Sequence, residues 1–121
     1  MNSDELKNRL KQFSLRIVKL VDAMPTHSLA SVTIAHQIIR SGTSPAANYR
    51  AACIAKSDKD FLNKLKMVEE ELDETLHWLE MIVDCDILPS NRMENIISED
   101  KELLSIIVKS IVTTRKRINE K

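Results

Sequence analysis

One glycine and three prolines in 121 residues leave this chain very few places to turn. A sheet protein reverses direction often and relies on residues that tolerate turn geometry. Aromatic and β-branched residues are not massed into short alternating runs either. Long helices joined by a few short loops meet the constraint, and the length suits one domain with one core. With 43% hydrophobic and 30% charged residues, the chain reads as globular rather than disordered.

Asn2 and Glu5 have capping-box spacing, and Leu6, Leu10, Phe13, Ile17, Leu20 and Met24 then recur at steps of four and three. That pattern is one buried stripe on a helix, ended by Pro25. A second helix starts near Ser28, with Leu29, Val32, Ala35, Ile38 and Ile39 as its expected core face and Ile34 off it. Within it, Pro45 lacks an amide donor and its ring crowds the carbonyl four residues back. The expectation is one long helix kinked near Gly42–Pro45; two helices, the later one capped by Ser44, are the alternative. Ser57 with Asp58 and Asp60 caps a third helix striped by Phe61, Leu65, Val68, Leu72, Thr75, Leu79 and Ile82. Asn91 and Glu94 are a cap candidate for a fourth, marked by Met93, Ile97, Leu104, Ile107, Ile111 and Ile118. The predicted helices cover 3–24, 28–55, 57–86 and 91–119. Together they make an all-α, antiparallel up-down-up-down four-helix bundle that spans 1–121 as a single domain.

Lys plus Arg and Asp plus Glu both number 18, so the net charge is zero and the strong overall field of a dedicated nucleic-acid binder is missing. The distribution is uneven. Residues 25–56 hold Arg40, Arg50 and Lys56 with no acid, whereas residues 57–88 hold three bases and ten acids. These two segments are expected to face each other within or between subunits, with Arg40 or Arg50 pairing to Glu70, Asp73 or Glu74. The run Glu69–Glu74 also admits a hydrolase reading, but five acids in six helical residues point in several directions. Glu74 and His77 have the spacing of a di-iron ligand pair without a second such motif. Ser41–Ser44 lacks the Gly-Lys-Ser/Thr ending of a phosphate loop. No catalytic, cofactor-binding or metal-ligating residue is nominated, and no enzyme activity is expected. Arg115, Lys116, Arg117 and Lys121 are the candidate nucleic-acid contacts, with complementing the helix dipole as their simpler role. Cys53 and Cys85 are expected to be reduced. The first segment is charged throughout and no apolar run approaches membrane-spanning length, so a soluble, cytoplasmic protein with no membrane partner is expected.

Ile96, Leu103, Ile106, Val108 and Val112 widen the apolar face of the fourth helix beyond one stripe, which predicts a homo-oligomer. Several runs also resemble a known family: Arg40-Ser41-Gly42-Thr43-Ser44-Pro45-Ala46-Ala47-Asn48-Tyr49-Arg50-Ala51, Asp60-Phe61-Leu62-Asn63-Lys64-Leu65, and Glu69-Glu70-Glu71-Leu72-Asp73-Glu74-Thr75-Leu76-His77-Trp78-Leu79. They are similar to the 23S rRNA-intervening-sequence proteins over essentially the full length, and to the accessory variability protein of diversity-generating retroelements. Pro45 stands where that family commonly has a branched apolar residue. The resemblance implies a four-helix bundle assembled as a homopentameric ring. The retroelement relative implies binding to RNA or DNA and to a protein partner, a reverse transcriptase, through a basic surface. Two function classes follow: a non-enzymatic oligomeric module scaffolding RNA or an RNA-handling protein, and a purely protein-binding structural oligomer.

Replacing Leu72 by Ala should cost ~2–5 kcal/mol in urea denaturation, through lost burial and the cavity left behind. A cost near zero would place that stripe on the outside.

Overall fold

The computed structural model describes residues 1–121 as four helices without strands. They are α1 (Ser3–Ala23), α2 (Leu29–Ala52), α3 (Asp58–Asp84) and α4 (Ser90–Asn119). Three begin as local chemistry dictates. Asn2 accepts the Glu5 amide at 2.8 Å and returns a hydrogen bond to the Glu5 carboxylate, while Ser28 and Ser57 accept the amides of Ser31 and Asp60. The fourth differs from expectation. Pro89 is the N-cap of α4 with no side-chain hydrogen bond, and Asn91 already lies inside the helix. α3 closes on Asp86, whose φ of 55° is the left-handed geometry that Asp tolerates. This lets the amides of Asp86 and Ile87 reach the carbonyls of Val83 and Ile82 in a Schellman pair.

Neighbours in sequence are neighbours in space: α2 packs against α1 and α3, α3 against α4, and α4 meets α1 more sparsely. The backbones of the diagonal pairs, α1 with α3 and α2 with α4, do not approach each other closely. The stripes of α1 and α3 are buried as their periodicity requires except at Leu20 and Phe61, which are half-buried, with Leu10, Ile17, Leu65, Leu72 and Leu79 all fully inaccessible. No helix is long and apolar enough to cross a membrane.

α2 departs from its expected face. Its buried residues are Ser31, Ile34, Ile38, Ser41, Gly42, Pro45, Tyr49 and Ala52, while Leu29 is 83% exposed and Ile39 lies at the surface. The helical spacing is the usual one, but it is carried by small and polar residues, so an apolar pattern picks the adjacent face. α2 also runs unbroken through Pro45, which excludes two separate helices. Gly42 supplies closeness: a Cβ built there would meet Ile17 Cγ2 at 2.7 Å and Cγ1 at 2.8 Å. The Ser14 hydroxyl donates to the Gly42 carbonyl at 3.2 Å in the same contact. One residue away, the Thr75 hydroxyl donates to Ser41 Oγ at 3.0 Å. The Ser41–Gly42 step therefore lets α1 and α3 approach α2 from two sides.

α4 supplies a second correction. Ile96 and Leu103 belong to this chain's own core and Ile106 is half-buried, so the surplus apolar face shrinks to Val108 and Val112.

Gly42→Ala gains helix propensity but drives a methyl into the immobile Ile17, so a net loss of ~1–2 kcal/mol is expected. Adding Ile17→Val should recover part of it, measured by thermal denaturation of the three variants as a cycle.

Candidate interaction surfaces

Bases and acids from different helices meet in three places. On the α2–α3 face, Arg40 hydrogen-bonds Glu74 and approaches Glu71 at 3.5 Å. Trp78 Nε1 donates to the same Glu74 oxygen at 3.1 Å and stacks edge-on with His77. Burial pushes Glu74 up, but the hydrogen bonds from Arg40 and Trp78 outweigh it and leave the carboxyl below its ordinary range. For Glu71 burial prevails over the Arg40 charge, so its carboxyl lies above that range. Glu70 and Asp73 stay exposed and unpaired, and Arg50 makes no ion pair. The acidic run is thus spread around α3, with Glu71 and Glu74 committed to Arg40.

At the far end of the bundle, the four nominated bases divide. Arg117 and Lys121 both bind Asp58 at the start of α3, with Arg117 Nη2 at 3.2 Å, and hydrogen bonds from Lys121 and Arg117 hold the Asp58 carboxyl below its usual range. Arg115 and Lys116 are exposed and unpaired. Beside Arg117 and Lys121 a cavity of about 930 Å³ is lined by Tyr49, Cys53, Lys56 and Phe61. Burial, then the neighbouring Cys53, pushes the Tyr49 phenol up to about 12. Both cysteines are free, Cys53 half-buried and Cys85 exposed.

The third meeting place was not legible in the sequence. Arg9 of α1 grips Glu99 of α4 with two bonds of 2.8 and 2.7 Å and reaches Glu102 at 2.9 Å. Hydrogen bonding to Glu99 raises Arg9 and, in return, lowers Glu99. This clamp ties the sparsely packed α1–α4 seam. Farther along that seam, Arg16, Lys19 and Arg92 line a cleft of about 240 Å³ floored by Leu20, Leu88, Met93 and Ile96.

Asp100 was missed as well. It is fully buried in α4 between the turns of Ile96 and Leu103, and neither carboxylate oxygen has a hydrogen-bond partner. Burial pushes it up to about 8, with the charges of Asp73 and Glu80 from α3 adding to the effect. No group of three or more His, Cys, Asp or Glu side chains is gathered where it could hold a metal ion. Asp100 is the one charged residue in the buried stripe of α4, and a charge at a core position of a regular pattern is the signal that could have marked it.

The surfaces are unequal in charge. α1 carries five bases against three acids, and α3, diagonally opposite, carries three bases against nine acids. Exposed on α1 are Lys11 and Leu15, and on α3 Met67, Glu70, Asp73 and Glu80.

Residues 4–109 match the family model of the 23S rRNA-intervening sequence protein. A crystal structure of a protein of unknown function from the S23 ribosomal protein family, from Bacteroides thetaiotaomicron, is similar at a TM-score of 0.82 and 31% identity. The match covers 92% of this chain and 98% of that one. No curated protein matches the chain.

Asp100 makes stability depend on pH with a defined sign. From about pH 4 to about pH 8 the folded protein holds a proton that the unfolded chain has released, so stability falls as pH rises through that window. Asp100→Asn should therefore exceed the parent by ~1–3 kcal/mol at pH 8, with the gap narrowing at pH 5, in urea titrations at both values. A gap that does not change with pH would mean that Asp100 is not the titrating group.

Proposed function

This chain belongs to the 23S rRNA-intervening sequence protein family, and on that premise we propose that it is a non-enzymatic, self-assembling helical module that scaffolds RNA. The observation that carries the reading is the opposed charge of α1 and α3 on diagonal corners of the bundle. Two copies laid side by side in the same sense bring the basic face of one against the acidic face of the next. Such a contact is heterologous, and repeated with rotation it closes into a ring. Leu15 and Met67, each about half exposed, stand on the two faces and add apolar area to the contact. The pentamer comes from the resemblance rather than from the charges. A ring repeats every basic group around its circumference, so a net-neutral subunit gains multivalent affinity for a polyanion.

The second reading, a protein-binding oligomer without nucleic-acid affinity, draws on Asp58. This residue already engages two of the four C-terminal bases.

Light scattering behind a sizing column should give a multiple of the single-chain mass at low salt, shifting toward smaller species as salt rises. Leu15→Glu places an acid on the basic face beside Lys11 and should lower the mass without lowering helicity. A single-chain mass at micromolar concentration and low salt would remove the assembly.

A further inference from the structure

The nominated C-terminal bases are partly neutralised, so the strongest anion site must be sought among cations without partners. The cleft between α1 and α4 gathers three: Arg16 and Lys19 from α1 and Arg92 from α4. None makes an ion pair, and no acid lines the cleft. The nearest carboxylate identified by its effect, Glu99, feels Arg16 but has both oxygens bound to Arg9. The 930 Å³ cavity is the contrasting case, because Asp58 sits among its cations.

Beneath the three cations the floor is apolar: Met93 is fully buried, Ile96 and Leu88 nearly so. Low-dielectric walls strengthen the field of the charges above them. Arg92 stands near the start of α4, where the first turn has no acid and no side chain caps the free amides, so the helix dipole adds to the same field. Three like charges held together repel until an anion arrives, and a planar guanidinium from each helix suits the oxygens of a phosphate. At about 240 Å³ the cleft is below the size that encloses a whole small ligand. It suits one charged group of a longer molecule laid across the seam, with its sugar against the apolar floor.

We propose that the α1–α4 cleft is a phosphate-binding site, formed by Arg16, Lys19 and Arg92, that takes a phosphodiester of the RNA backbone. The choice of RNA as the source rests on the scaffolding role above; the phosphate chemistry does not.

The test uses the full chain and a labelled single-stranded RNA oligonucleotide, with anisotropy titrations at two salt concentrations. Arg16→Ala with Arg92→Ala should weaken binding by at least ~tenfold and flatten the log–log salt slope by about 0.7, the share of one single-strand phosphate. Arg115→Ala with Lys116→Ala should weaken it much less. Both pairs are exposed, and circular dichroism confirms that the variants fold. The reverse ranking would overturn the cleft and leave RNA scaffolding standing. A second arm titrates inorganic phosphate while following arginine Nε resonances, and those of Arg16 and Arg92 should shift. Shifts there with no RNA binding would keep the phosphate site and overturn RNA as its ligand, together with the scaffolding role. Absence of any shift, with RNA binding unaffected by Arg16→Ala and Arg92→Ala, would overturn the site itself.

Discussion

The contact on which the bundle turns is the approach of α1 to α2 at Ile17 and Gly42. Any side chain at Gly42 would overlap Ile17, which is itself fully buried and has nowhere to go. Close packing of this kind transmits constraint, because interiors lack free volume to absorb a displaced methyl. On the other side of the same step, Ser41 meets Thr75 of α3. α2 is therefore fixed between two partners at one level, and the backbones of α1 and α3 are left on opposite corners of the shared core. Everything the surface does follows from that placement.

Placement decides which charges cancel. With α2 beside α3, Arg40 comes over Glu71 and Glu74, and Trp78 secures the second of these. With α3 beside α4, Asp58 meets Arg117 and Lys121. These pairs are largely exposed and add little to stability. Their consequence is subtractive: they remove groups from the set available to a partner. What remains uncancelled is Lys11 on α1, the acidic side of α3 and the cleft of Arg16, Lys19 and Arg92.

The α1–α4 seam differs from the other three in being sparsely packed. Arg9 bridges it with a two-pronged hold on Glu99, and on α4 the next residue is the unpaired Asp100. A buried carboxyl without partners is a standing cost that an apolar residue would avoid. The charges that act on it, Asp73 and Glu80, belong to α3, so the cost falls on the side of α4 that faces α3.

The existence of four helices, their ends within a few residues, and the inward faces of α1 and α3 were determined by the sequence alone. Helical periodicity and capping act over three or four residues, so no distant partner is needed to read them. α2 marks where that reading stopped. Its inward face is written in Ser31, Ser41, Gly42 and Pro45, and smallness becomes meaningful only when Ile17 and Thr75 lie against it. The family resemblance, too, was carried by contiguous runs. Only the tertiary structure decided which charges are spent and which are free. Asp58 and Arg117, Arg9 and Glu99, and Arg16 and Arg92 lie far apart in the chain, and their energies depend on distances that the helix packing sets. Asp100 likewise acquires its raised pKa from burial, a property of the assembled bundle rather than of its place in the sequence.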